Sequence, residues 1–275
     1  DQSRSTRPTI AYLASDAVVD RTATSIWSGV EAGAREQDLN LIVFPGGDVH
    51  SRLRVQANII YDLITPKVLA GLVTWVIARQ SPAVPNETWS EEEEVCALHT
   101  RHHPLPIVTL SRAVLDHPVV RVESEQGMRD AVAHLIEVHR IRRIAFIRGP
   151  ESYLAEARYH AYLDTLADHG IEVHADLIAP PGSSFRERGA QAVDLFLDQR
   201  NLRPKEDLEA IVAANDILAL GAMEALQHRG VRVPEDVAVV GFNDSAEARS
   251  ASPPLTSVTV PFREQGMKAV HALKH

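Results

Sequence analysis

The sequence predicts an α/β protein built as two doubly wound Rossmann-like lobes, each a parallel sheet covered by helices. Three observations point there. Short β-branched runs alternate with amphipathic stretches along the whole chain. The runs are near-continuously apolar, as strands buried on both faces are. The 275 residues are enough for two domains of ~100–200 residues each. One large sheet or a (β/α)8 barrel would show the same alternation. The acidic insert after the third strand and the parallel layout of the halves favour two lobes.

Each element has its own reason. Residues 9–14 (TIAYLA) read as a strand, and 22–36 as a helix with Ile26, Val30 and Ala34 at helical spacing. A second strand, 39–44, is expected to break at Pro45 and two glycines. Residues 52–64 carry Val55, Ile59 and Leu63 on one helical stripe. The third strand, 70–77, lies in the longest apolar run, VLAGLVTWVIA at 68–78, too short for a bilayer that takes ~20 residues. A polar stretch, 81–90, leads to a helix from Glu91. Strands follow at 106–110 and 119–122.

The second half repeats the logic. Helices are expected at 127–139, 156–169, 185–199, 216–228 and 262–274, and strands at 143–147, 176–179, 210–214, 237–242 and 256–260. Gly170 and Gly230 suit left-handed helix caps, and Asn215 or Asp216 an N-cap.

Composition narrows the function. Lys plus Arg is 28 against 37 Asp plus Glu, a net charge of −9. With no basic block, the chain is not expected to bind nucleic acid by itself. The single cysteine, Cys96, excludes a disulfide framework within the chain and fits a reducing compartment. The N-terminal residues lack the apolar core of a signal peptide. No P-loop, no G-x-G-x-x-G after the first strand and no G-x-S-x-G elbow occurs; GSS at 182–184 is a polar turn. His99, His102 and His103 cluster without an H-E-x-x-H motif, and His134 and His139, five apart, belong to different faces of a helix. No metal, cofactor or catalytic residue is expected, which shifts weight towards binding.

Three stretches go beyond a generic α/β chain: RRIAFIRGP at 142–150, AANDILALGAMEAL at 213–226, and RVPEDVAVVGFND at 232–244 continuing to PPLTSV at 253–258. In this order and spacing they resemble the ligand-sensing core of the lactose/galactose-repressor (LacI/GalR) family, with the type I periplasmic-binding-protein fold. WSGVE at 27–31, GMRDAV at 127–132 and GM at 266–267 fall in step. The resemblance covers residues 8–275 and sets the barrel aside. It implies an N-terminal lobe of 1–123 plus 261–275 and a C-terminal lobe of 124–260, with crossovers near Glu123 and Val260 and a third beyond His275. It also implies a small metabolite bound in an inter-lobe cleft, signalling by hinge closure, a cytoplasmic homodimer, and DNA contact only through a domain outside these residues. FPGG at 44–47 and YDLI at 61–64 also resemble a subgroup fused to histidine kinases or diguanylate cyclases. An extracytoplasmic solute-binding protein is the third reading.

The candidate site follows from the fold. Ligands of open parallel sheets bind beyond the carboxyl ends of the strands. In the first lobe that rim offers Asp16, Asp20, Asp48, Trp75, Ser111 and Arg112; in the second, Arg148, Glu156, Ser184, Asn215 with Asp216, and Asn243 with Asp244. Carboxylates and amides suit polyhydroxyl or heteroaromatic ligands, because each can fix several hydrogen bonds. In the resemblance, Asn215 and Asn243 match ligand-facing positions. The family's cleft arginine aligns with Glu156, which reverses the charge and admits a cationic ligand; Arg158 sits two residues on. Sugar-like, nucleobase-like and cationic effectors all remain open. Structural roles compete: Asn215 as a cap, Asn243 as a turn residue, Trp75 as core, and Trp27 as core or interface.

Overall fold

The computed structural model describes residues 7–15, 21–46, 62–75, 79–80, 88–89, 91–110, 113 and 115–273. Its elements in chain order begin with β1 (Thr9–Ser15), α1 (Arg21–Glu36), β2 (Asn40–Gly46), β3 (Gly71–Trp75), β4 (Arg79–Gln80), β5 (Thr88–Trp89), α2 (Glu91–His102) and β6 (Ile107–Thr109). Next come α3 (Ser124–Glu137), β7 (Ile144–Ile147), α4 (Tyr153–Asp168), β8 (Ile178–Ala179), α5 (Arg186–Asp194) and β9 (Ala210–Ala213). The chain continues through α6 (Asp216–His228), β10 (Ala238–Asn243), α7 (Ala246–Ser250), β11 (Thr256–Thr259) and α8 (Phe262–Ala272). It divides into two compact units, residues 1–122 with 261–275, and residues 123–260. Among the described residues no helix is long and apolar enough to cross a membrane.

The first unit holds a parallel sheet in the order β2-β1-β3-β6. Successive side chains of β1 point to opposite faces. Ile10 and Tyr12 join Ile26 and Val30 of α1 and Val270 of α8 in one cluster. Ala11 and Leu13 join Ile64, Leu69 and Leu105 in the other. The sheet is therefore buried on both sides, as continuous apolar strands require. Helices α1 and α8 cross backbone to backbone. A Cβ on Gly29 would lie 1.9 Å from the Arg263 carbonyl oxygen, and one on Gly266 would lie 2.3 Å from that of Ile26. Gln265 of α8 donates to the carbonyls of Leu110 (2.5 Å) and Val120 (2.8 Å), tying the helix to the end of β6.

The second unit holds a parallel sheet in the order β11-β10-β9-β7-β8. Phe146, Tyr162, Ile211, Val212, Phe196 and Leu218 are fully buried around it. The Tyr162 hydroxyl donates to the Ile144 carbonyl at 2.8 Å, and burial pushes the phenol up out of its ordinary range. In both sheets the strand order reverses, between β1 and β3 in one and between β7 and β9 in the other. Such switch points open a crevice at the carboxyl ends.

The structure departs from the sequence reading at several ends. β2 runs on through Pro45 because it is an edge strand, where a missing donor breaks no ladder. Residues 119–122 form only a single bridge, Thr109 to Val119. Helix α4 begins early, capped by the Ser152 hydroxyl, which accepts from the Ala155 N–H at 3.4 Å. The helix expected over 185–199 is α5 followed by a π-helical turn, Leu195–Gln199. The β4–β5 hairpin and α7 were not expected; Ser245 caps α7. Of the helix expected at 52–64, only residues 62–64 are described.

Candidate functional site

The second unit presents its carboxyl rim in full. Arg148 follows β7, beside the switch point. Its Nη2 donates to both carboxylate oxygens of Glu156, at 2.6 and 2.8 Å, and its guanidinium lies 4.4 Å from the centre of the Tyr159 ring. The side chains are 21% and 32% exposed. Glu156 is thus neutralised by a neighbour, and the charge reversal expected there is not presented to solvent as a free carboxylate. The buried cation of α4 is Arg158. Its Nη1 donates to the Ala214 carbonyl (2.8 Å) at the end of β9, and it stacks over Phe242 at 3.9 Å. Burial lowers its pKa to about 10 despite the opposing pull of Asp216 and Glu125.

The two asparagines sit at strand ends. Asn215 ends the β9 segment and caps α6, its side-chain oxygen accepting from the Leu218 N–H at 2.9 Å. Asn243 closes β10 with φ +115, and its Oδ1 is buried without a hydrogen-bond partner among the described residues. Asp244, at φ +55, receives Arg249 through two bonds (2.8 and 2.6 Å) and the Thr259 hydroxyl at 2.8 Å. Arg249 accordingly holds the Asp244 carboxyl below its usual range. Ser184 is half-buried in the loop between β8 and α5. The next residue, Phe185, is 65% exposed, an aromatic face at the rim that the sequence reading had assigned to a helix. Phe185 is the N-cap of α5, one residue before the helix starts.

In the first unit, Trp75 ends β3 at the switch point. It is 5% exposed within the cluster of Tyr12, Val73 and Val108, its ring 6.2 Å from that of Phe262. Trp27 is exposed on α1, which sets aside the core half of its expected role. Asp16, Asp20, Asp48, Ser111 and Arg112 lie outside the described residues.

The histidines resolve into pairs. His99 Nδ1 and His117 Nε2 are 2.9 Å apart, and His102 is buried with its Nδ1 on the Ile64 carbonyl at 2.9 Å. His134 and His139 meet at 3.1 Å, contrary to their spacing, because α3 ends at Glu137 and the chain turns back through Arg140 at φ +60. Among the described residues no group of three or more His, Cys, Asp or Glu side chains is arranged to hold a metal.

Comparison with known proteins agrees with this architecture. The family model described as a periplasmic binding protein-like domain matches residues 132–275. The HTH-type transcriptional regulator AscG of Escherichia coli (strain K12) is 38% identical over 165 residues, 59% of this chain and 47% of that protein. The HTH-type transcriptional regulator CelR of Thermobifida fusca is 37% identical over 155 residues, 56% of this chain and 44% of that protein. This chain thus spans about half the length of these curated relatives. A solved complex of the transcriptional regulator CelR with cellobiose superposes with a TM-score of 0.78 at 26% identity, covering 98% of this chain and 78% of that one. With its two parallel-sheet α/β units and a family match over more than half its length, the chain belongs to the periplasmic binding protein-like domain family.

Proposed function

We propose that this chain is the effector-sensing, non-enzymatic part of a cytoplasmic transcriptional regulator, and that it takes a small metabolite at the carboxyl rims of its sheets. The observation that carries the reading is the rim of the second unit. Asn243 holds a buried acceptor without a donor among the described residues, beside Asn215 and within the sheet whose switch point lies at Arg148. A buried amide oxygen left unpaired is costly, and a ligand hydroxyl or N–H would satisfy it. The relatives named above are HTH-type transcriptional regulators, which supports a regulatory rather than a kinase, cyclase or transport role.

Effector chemistry follows from the same residues. Amides and the exposed ring of Phe185 suit a hydroxyl-rich or flat ligand, sugar-like or nucleobase-like. A cationic ligand has less support, since Glu156 is already paired with Arg148. In the first unit Asp16, Asp20, Trp75, Ser111 and Arg112 are proposed to complete the site. A ligand touching both units shifts a hinge equilibrium by its differential affinity for the closed state, and so acts on an output domain. A homodimer is the proposed assembly. DNA is reached through a segment outside these residues, since −9 is a poor charge for phosphate contact.

A thermal-shift screen of cellobiose, other sugars, nucleobases and amines tests the reading. We expect a sugar or nucleobase to raise the melting temperature, and Asn243→Ala to diminish that rise with the unliganded melt nearly unchanged. A response confined to amines, or one indifferent to Asn243→Ala, counts against it.

A further inference from the structure

Asp216 is 1% exposed, a buried carboxylate in the first turn of α6. It makes no ion pair within salt-bridge distance among the described residues, and its polar contacts are all with one turn and one strand. Oδ2 accepts from the Ser245 N–H at 2.6 Å. Oδ1 accepts from the Ser257 hydroxyl at 2.5 Å. That same hydroxyl oxygen accepts from the Asp244 N–H at 2.9 Å. Two successive backbone N–H groups, those immediately after Asn243, are therefore tied to one carboxylate: one directly, the other through Ser257.

The tie holds a conformation the chain would not adopt unaided. Asn243 and Asp244 are consecutive residues with positive φ, +115 and +55. L-residues enter that region at a cost, and persist there only where the surroundings fix them. The carboxylate reaches the turn across β10 because residue 241 is glycine. A Cβ there would lie 2.3 Å from Asp216 Oδ1. The geometry of this corner thus uses Gly241, Asp216, Ser257 and Ser245 together, and its product is the placement of the Asn243 side chain with Oδ1 buried and unpaired among the described residues.

We propose that Asp216 is a positioning residue for the effector site. It aligns the two rim asparagines with each other, standing next to Asn215 in the chain and clamping the turn after Asn243 through its side chain. The assignment rests on the reading of Asn243 as an effector contact. It makes the site's specificity depend on a carboxylate that touches no effector itself. Arg249 and Thr259, which hold Asp244 from the exposed side, complete the clamp.

The test needs no effector, so the clamp stands or falls apart from the binding reading. Amide hydrogen exchange at Asp244 and Ser245, and the side-chain amide resonances of Asn243, are followed by NMR in the whole chain. Ser257→Ala should speed exchange at Asp244 about tenfold, leave Ser245 protected by Oδ2, and shift the Asn243 side-chain signals. Ser257→Thr, which keeps the hydroxyl, should restore all three. Asp216→Asn, with one acceptor oxygen in place of two, should leave no more than one of the two amides protected. Unchanged exchange at Asp244 in Ser257→Ala overturns the proposal. So does an equal rise at both amides, or a failure of threonine to rescue, because a loss of general stability would act on both and would not be reversed by a hydroxyl. The Ser257 pair decides the matter even if Asp216→Asn does not fold.

Discussion

Asn215 carries two roles that a single alanine substitution would confuse. Its Oδ1 caps α6, and truncating such a cap costs ~1 kcal/mol of stability. Serine keeps an oxygen for the Leu218 N–H and removes the amide that an effector would meet. Asn215→Ser is therefore expected to melt near the parent temperature yet to weaken binding of a screened sugar or nucleobase by about tenfold, the scale of a lost buried hydrogen bond. Full retention of binding would leave the residue a cap and nothing more. The neighbouring Arg148–Glu156 pair gives a second measurement. Both side chains are under one-third exposed, and one guanidinium nitrogen bridges both carboxylate oxygens. A double-mutant cycle with alanine at each position, followed by urea unfolding, should show a coupling of ~1 kcal/mol. A coupling near zero would mean the pair is mutually solvated and open to a ligand. At this scale the sequence identified the rim residues by type and strand end but not their partners. Nothing in the spacing of Arg148 and Glu156 reveals that the strand end folds its guanidinium onto the first turn of α4. Nor does it show that Arg158, two residues on, turns inward to the end of β9.

Among elements, the α1–α8 crossing is the contact that joins the first and last helices of one unit across most of the chain. It depends on Gly29 and Gly266, whose absent side chains admit a carbonyl from the other helix. Gly29→Ala would place a carbon within bonding distance of the Arg263 carbonyl, so the helices must separate. The expected loss is about 2–4 kcal/mol, read as a fall in melting temperature, against a gain of at most ~1 kcal/mol in helix propensity. A variant as stable as the parent would show that the helices part without cost. WSGVE at 27–31 and GM at 266–267 were visible as motifs, and this crossing is the physical reason for their glycines. Strand and helix identity was likewise legible wherever apolar period and caps agreed, as in α6, whose limits match the expected ones. It failed where tertiary context decides: an edge position let β2 run through proline, and a buried carboxylate in another helix organised α7.

Taken whole, the two units should answer acid differently. In the first, burial lowers the pKa of His102 below 6.5, and that of His117 moves the same way for the same reason. Each contributes full stability above about pH 6.5, where the unfolded imidazole is neutral too. Each loses that contribution as the pH falls towards its folded value, because the unfolded chain takes the proton first. In the second unit the signs reverse. The bond to Glu137 raises His169, so its contribution is complete below 6.5 and disappears as the pH rises through its folded value. Burial also raises Asp216. The carboxylates held low by arginine, Asp207 at about 2 among them, give stability that is present above their ordinary value of 3.8 and is lost only in stronger acid. Between about pH 7.5 and about pH 5.5 the first unit should therefore weaken while the second does not. Peptide-level hydrogen exchange, corrected for intrinsic rates, reads this directly from β1 and β3 against β7 and β9. His102→Asn keeps a donor for the Ile64 carbonyl without a titrating ring, and should reduce the slope of the first unit alone, leaving the part that His117 carries. If the β1 and β3 amides keep their protection at the lower pH, or if the slope is undiminished in His102→Asn, buried His102 does not contribute to the acid response of that unit.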